Sequence, residues 1–110
     1  MAKSKKINHQ NCPIEAALEI ISGKWKSVIL YHLLKEKKLR FGELKKKLPN
    51  VTQRMLTKQL REMENDDLVI RKVYAQVPPK VEYQLSERGK SLKDVIKFLA
   101  NWGKKYIKSV

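Results

Sequence analysis

Residues 41–85 read FGELKKKLPNVTQRMLTKQLREMENDDLVIRKVYAQVPPKVEYQL, and the spacing of their apolar side chains decides the fold. Phe41, Leu44 and Leu48 recur at helical spacing, so Phe41 to Leu48 reads as a short helix with Lys45, Lys46 and Lys47 on its wet side. Pro49-Asn50-Val51 is a turn, and Thr52 is a good N-cap for the next helix. That helix carries Leu56, Leu60 and Met63 on one face and runs to about Asn65. Beyond it the apolar period drops from helical to alternating. Leu68 to Tyr74 is rich in β-branched residues, and Val81, Tyr83 and Leu85 alternate with Glu82 and Gln84. Ala75 to Lys80 forms the hairpin tip, because the paired prolines Pro78 and Pro79 cannot continue a sheet ladder. A short helix, a tight turn, a second helix and a two-stranded hairpin make a helix-turn-helix followed by a wing.

The flanks complete the architecture. Residues 1–11 read as a polar, basic arm. Asn11-Cys12-Pro13 opens a first helix, with proline where a missing N–H costs nothing and Glu15 near the positive end. Its apolar positions are Ile14, Ala17, Leu18 and Ile21, and Gly23 ends it. Lys24 to about Lys35 is a second helix, apolar on most sides and therefore central. Ser86 caps a last helix whose stripe is Leu92, Val95, Ile96, Leu99, Trp102 and Tyr106. Phe98 and Ile107 lie off that stripe, which is more apolar surface than one monomer core requires. The expected order is α-α-α-α-β-β-α: mainly α with a β-hairpin (α+β), one domain over 12–110 behind the arm.

Composition narrows the function. At 110 residues the chain is one domain of ordinary size, with no apolar run of spanning length. The basic N-terminus lacks the apolar segment of a secretory signal. One cysteine builds no intrachain disulfide, and with two histidines it supplies no protein-only zinc site; neither metal nor cofactor is expected, and the expected compartment is the cytosol. The formal charge is +14, and residues 35–58 carry half of it. A localised basic face is the footprint of a polyanion, with double-stranded DNA the leading partner. Anionic lipid is disfavoured because the basic stretch lacks an exposed aromatic and leucine face.

A recognition helix reads bases from its N-terminal turns. With Leu56, Leu60 and Met63 buried, Gln53, Arg54, Thr57, Lys58 and Arg61 occupy the rest of the cylinder. Arg54 suits guanine O6 and N7, and Gln53 suits adenine N6 and N7. Thr52, Thr57 and Lys58 suit phosphates, Lys45 and Lys46 flank the groove, and Arg71, Lys72 and Lys80 place charge on the wing. The plainer account of each lysine is a solvated charge on a helix face. Glu62, Glu64, Asp66 and Asp67 would repel a phosphate backbone, so the far end of the helix should point away from the duplex.

An enzyme is not indicated. His9 lies in the arm and His32 in mid-helix, and no metalloprotease, hydrolase or phosphate-loop motif is present. A sequence-neutral architectural DNA-binding protein fits the charge equally well, but Gln53 and Arg54 argue for base reading. An RNA-binding module would need aromatic side chains projecting from the sheet, whereas Tyr74 and Tyr83 are expected to pack within the hairpin.

These residues together resemble the HxlR-type winged-helix regulators of bacteria and archaea, relatives of the MarR-like group, over about residues 12–106. The resemblance rests on Cys12-Pro13, Gly23-Lys24-Trp25, Arg40-Phe41 with Glu43-Leu44, and Thr52 through Glu64. Its most specific part is Val77-Pro78-Pro79-Lys80-Val81-Glu82-Tyr83, then Leu85-Ser86 and Gly89. Ser22 stands where glycine is expected, and Asp67 replaces the glycine before the hairpin, a change that a left-handed conformation tolerates. The resemblance implies a homodimer built from the first and last helices on a pseudo-palindromic operator, with Ile14, Leu18, Phe98, Trp102 and Tyr106 at the interface. The surplus apolar surface of the last helix agrees. The resemblance also implies that in a subset of members the N-terminal cysteine senses oxidants, quinones or aldehydes. An oxidant or small-molecule effector is thus a partner to test. For Cys12 two readings stand side by side: a thiol activated at a helix N-terminus with help from Lys5 and Lys6, or a small residue that merely caps and packs.

Overall fold

Leucine and isoleucine placed on three sides of one helix make that helix the centre of the molecule. The computed structural model describes residues 12–107. In order, the elements are α1 (Pro13–Ile21), α2 (Lys26–Glu36), β1 (Lys38–Arg40), α3 (Phe41–Lys47), α4 (Gln53–Asn65), β2 (Val69–Tyr74), β3 (Lys80–Leu85), α5 (Glu87–Lys90) and α6 (Lys93–Lys104). Ile29, Leu30 and Leu33 of α2 are fully buried and meet Leu44 of α3, Leu56 and Leu60 of α4, and Leu85 of β3 in one core. The basic arm assigned to residues 1–11 lies outside the described residues, with Lys5 and Lys6.

The three strands form an antiparallel sheet in the order β1-β3-β2. Lys38 pairs with Gln84 and Arg40 with Glu82 on one side of β3, while Lys72 pairs with Glu82 and Tyr74 with Lys80 on the other. Alternation then sorts the side chains. Leu39, Val69, Tyr83 and Leu85 face the core and are buried. Lys38, Arg40, Lys72, Lys80 and Glu82 share the opposite face.

Three expectations need correction. A strand, β1, stands where the sequence reads as a loop, because the free edge of β3 offers hydrogen bonds to three residues with only Leu39 to bury. The last helix is two helices. A tight turn at Ser91 and Leu92, with the Leu92 N–H donating to the Gly89 carbonyl at 3.1 Å, separates α5 from α6. The second helix begins at Lys26 rather than Lys24, since Ser22 caps α1 and Gly23 follows at φ 107. Ser22 itself sits at φ −74, so it needs no glycine.

Two buried faces also differ from the periodic reading. On α1 the core takes Ala16, Ile20 and Ile21, leaving Ile14, Ala17 and Leu18 exposed. On α6 only Ile96 is buried; Val95, Leu99, Trp102 and Tyr106 face outward with Phe98 and Ile107.

Both ends of the wing are tied at its root. Asp67 takes the left-handed conformation at φ 60, as its short polar side chain allows. The Ser86 hydroxyl donates to the Asp67 carbonyl at 2.5 Å and accepts from the Gly89 N–H at 3.0 Å, while the Ser86 N–H donates to the Leu68 carbonyl. A Cβ at Gly89 would run into that Leu68 carbonyl, so only glycine fits.

Candidate nucleic-acid interface

Helix α4 owes its start to Thr52, whose hydroxyl accepts from the Met55 N–H at 3.0 Å. The hydroxyl hydrogen remains free to donate outward, which suits a phosphate oxygen. Leu56, Leu60 and Met63 anchor the inner face. The outer face presents Gln53, Arg54, Lys58 and Arg61, all exposed, along a shallow groove of about 590 Å³ that ends at Glu62 and Asn65. From Gln53 to Asn65 the helix rises about 18 Å.

Two residues meet the groove differently from their sequence reading. The Thr57 hydroxyl donates to the Gln53 carbonyl at 2.9 Å, so toward DNA it offers only a lone pair and a methyl group. That removes the donor a phosphate contact requires. Glu62 belongs to the far end of the helix, and its carboxylate lies 2.8 Å from the ammonium of Lys26, which is buried at the start of α2. This pair locks α4 to the central helix and draws the negative charge inward.

The lysines of α3 divide as well. Lys46 is exposed, Lys45 is half-buried, and Lys47 is held 3.3 Å from Glu36 of α2. All three also lie at the negative end of α3, where cations are favoured without any ligand. Glu43 at the other end accepts from the Arg40 N–H at 2.7 Å and fixes the entry of the helix.

Neighbours in sequence, Arg71 and Lys72 point to opposite faces of the wing. They cannot address the same surface together. Arg71 lies on the side of α4, and Lys72 on the outer face. There, Tyr74 donates to Glu82 at 3.0 Å, and Lys80 sits 3.6 Å from Glu82 and 4.5 Å from the Tyr74 ring. Burial pushes the Glu82 carboxyl up, but the Tyr74 hydrogen bond and the ammoniums of Lys80 and Lys38 outweigh it and hold the carboxyl below its ordinary range. The charge of Lys80 is therefore committed within the wing; Lys72 shares the Tyr74 ring at 5.3 Å without an ion pair among the described residues, and Arg71 is exposed on the other face.

His32 takes no part in this face. It is half-buried beside Tyr31, their ring centres 5.3 Å apart, and its pKa is lowered by burial and by the ammoniums of Lys47 and Lys35, against a smaller opposing pull from Glu36. Among the described residues no cluster of His, Cys, Asp and Glu could hold a metal, and no helix is long and apolar enough to cross a membrane. Cys12 is exposed, immediately before α1, and its N–H donates to the Glu15 carboxylate at 3.3 Å.

Of the site residues read from sequence, the structure groups Gln53, Arg54, Thr57 and Lys58 in one groove with Thr52 at its head, and sets Lys46 and the wing apart from it. Arg61, on the same face, lines that groove too. The Lys26–Glu62 tie was not legible, since no periodicity pairs a residue of one helix with a residue of another.

Comparison with known proteins places these features in a family. The model described as HxlR-like helix-turn-helix matches residues 20–110. The curated relative YdeP of Bacillus subtilis, described as an uncharacterized HTH-type transcriptional regulator, is 56% identical over 97 residues, covering 88% of this chain and 75% of its own. Among solved structures, the redox regulator HypR in its oxidized form superposes with a TM-score of 0.83 at 47% identity, over 90% of this chain and all of that one. Diamide-treated YodB from B. subtilis superposes at 0.71 with 30% identity, over 92% of this chain and 100% of its own. The similar proteins are regulators of transcription, not enzymes.

Proposed function

This chain belongs to the HxlR-like helix-turn-helix family of transcriptional regulators, and on that premise we propose that it reads a specific pseudo-palindromic operator as a homodimer. One observation carries the reading: the chain bears a polar, basic helix face on α4 and a separate apolar one on α6. Arg54 and Gln53 are the base readers; Thr52, Lys58 and Lys46 hold phosphates; Arg71, on the α4 side of the wing, reaches the backbone or minor groove beside them, and Lys72 on the outer face adds only to the positive field. Phe98, Trp102 and Tyr106 of α6, with Ile14 and Leu18 of α1, form the contact between subunits. All five are exposed in the single chain, between 48% and 71%. On α6, where the Trp102 and Tyr106 rings lie 4.5 Å apart, exposed apolar surface of this kind marks an interaction site rather than ordinary surface.

Selection of bound sequences from a random DNA pool, followed by footprinting, tests the proposal. The expected result is a symmetric site with half-sites about 34–36 Å apart. Equal affinity for selected and random DNA would favour sequence-neutral, architectural binding instead.

The response to oxidants belongs to the same reading. HypR is a redox regulator, YodB has been treated with diamide, and Cys12 of this chain is exposed at the head of α1. The sequence holds no second cysteine. An oxidant such as diamide, taking up two electrons and two protons, would therefore join Cys12 to a small thiol or to Cys12 of another subunit. Either adduct lies beside Ile14 and would alter the spacing of the two recognition helices. Operator affinity with and without diamide is the measurement. Cys12→Ser should abolish the response, and an equal response in the serine variant would make Cys12 structural.

A further inference from the structure

We infer a second binding site, for a small carboxylate with an apolar body, in a lysine-rimmed pocket at the root of the sheet. Leu33 and Leu34 of α2 and Leu85 of β3 form the floor of this cavity of about 410 Å³, and Lys37, Lys38, Lys90 and Lys93 stand around it. Leu33 and Leu85 are core residues, so the floor is rigid.

The rim is over-supplied with positive charge. Lys90 lies 3.5 Å from Glu87, but both side chains are largely exposed and the pair is weak. Glu82, which bears on Lys38 across the sheet, already accepts from Tyr74 and faces Lys80. No ion pair holds Lys37 or Lys93 among the described residues.

Helix ends do not account for this arrangement. Lys37 and Lys38 follow the negative end of α2, where cations are favoured. Lys93, however, is the first residue of α6, at the positive end, where a cation is disfavoured. Lys37 adopts φ 71 and ψ −51, close to a γ-turn that glycine would enter with less strain. Lys37 thus holds a strained backbone and Lys93 an electrostatically disfavoured place, and both line the same pocket. Strain of this kind gathers at ligand clamps.

Apolar floor and cationic rim together select the ligand. A carboxylate settles among the ammoniums while its ring or branched chain covers the leucines. The DNA backbone is a poorer occupant, having nothing to place on that floor. The pocket also lies at the Gln84 end of β3, about 13 Å along the strand from Lys80, where the wing tip begins.

The full chain is titrated calorimetrically with 2-naphthoate, with 2-naphthalenemethanol (the same ring uncharged) and with acetate (the charge without the ring). Naphthoate is expected to saturate one site per chain, with both controls at least about tenfold weaker, equivalent to about 1.4 kcal/mol. Lys37→Gln combined with Lys93→Gln should weaken naphthoate about fivefold or more at unchanged melting temperature. Lys90→Glu, on an exposed side chain, should weaken it in the same direction. The inference is overturned by any of three results: no saturable naphthoate binding at millimolar concentration, equal binding of the neutral analogue, or full affinity in both variants.

Discussion

Helices α4 and α6 are both strongly two-faced, yet they turn opposite faces to the outside. In α4 the apolar stripe of Leu56, Leu60 and Met63 is buried and the polar side is presented; in α6 a single residue, Ile96, enters the core and Phe98, Trp102 and Tyr106 are presented. The cause is position in the fold. Helix α4 is held between α2 and β2, with neighbours on its apolar side and the Lys26–Glu62 pair to orient it. Helix α6 leaves the sheet after the turn at Ser91 and meets only part of α2, so most of its apolar surface has nothing to cover it within one chain. Amphipathicity shows that a helix has two environments. Which of them is supplied by the same molecule depends on the elements around it.

The contrast breaks most visibly on α6. Trp102→Glu places a charge in the centre of the proposed subunit contact and should weaken self-association by about 2–4 kcal/mol or more, while leaving the monomer folded, since Trp102 is 61% exposed. Sedimentation velocity checks this, and an unchanged dimer would remove α6 from the interface. On α4 the same logic gives a change in reading rather than assembly. Arg54→Ala should cost about 1–3 kcal/mol on the selected operator and relax preference at one base pair, whereas Lys46→Ala should weaken all sequences alike and flatten the salt dependence by about one unit of slope. Equal loss for both variants on every sequence would leave α4 with no role in readout.

Smaller effects sharpen the comparison. Thr52→Ala removes the cap that α6 lacks an equivalent of, and should destabilise the chain by about 0.5–2 kcal/mol in chemical denaturation. His32 supplies a pH test independent of both helices. Its pKa is lower folded than unfolded, so between those two values the unfolded chain binds more protons. Stability should hold above the ordinary value of 6.5 and decline as pH falls through it toward the folded value. Melting temperatures of wild type and His32→Gln across that range should converge at high pH and separate at low pH, with wild type the lower.

Much of this was legible in the sequence where local chemistry and tertiary packing agree. The stripe of α4, its cap Thr52, the hairpin and its proline tip all stand where periodicity and turn residues place them. Asp67 was legible as a left-handed residue through the resemblance, which expects glycine at that position, and its short polar side chain tolerates the conformation. The misreadings fall where a distant partner decides. Lys38-Leu39-Arg40 becomes a strand only because β3 offers an edge, and the break before α6 lies at a turn closed by the Leu92 N–H on the Gly89 carbonyl, which no apolar spacing announces. On α1 periodicity alone does not separate Ile21, which enters the core, from Ile14 and Leu18, which stay exposed. For the site, periodicity sufficed to set Gln53 and Arg54 on the exposed face of α4, but Thr57's use of its proton within the helix and the opposed directions of Arg71 and Lys72 depend on three-dimensional pairing.

The clasp at Ser86 has a consequence for what the residues of the wing tip serve. Hydrogen bonds from Ser86 to Asp67 and Leu68 fix the root of the wing without using any residue of its tip. Residues 75–79 are exposed and lie outside both strands. Lengthening a loop costs only about 0.6 kcal/mol for each doubling once its ends are held. Folding therefore does not hold the tip to one length or sequence, so the Val77-Pro78-Pro79 run that carries the family resemblance there answers to a demand other than the stability of the wing's root, which Gly89 and Ser86 already secure.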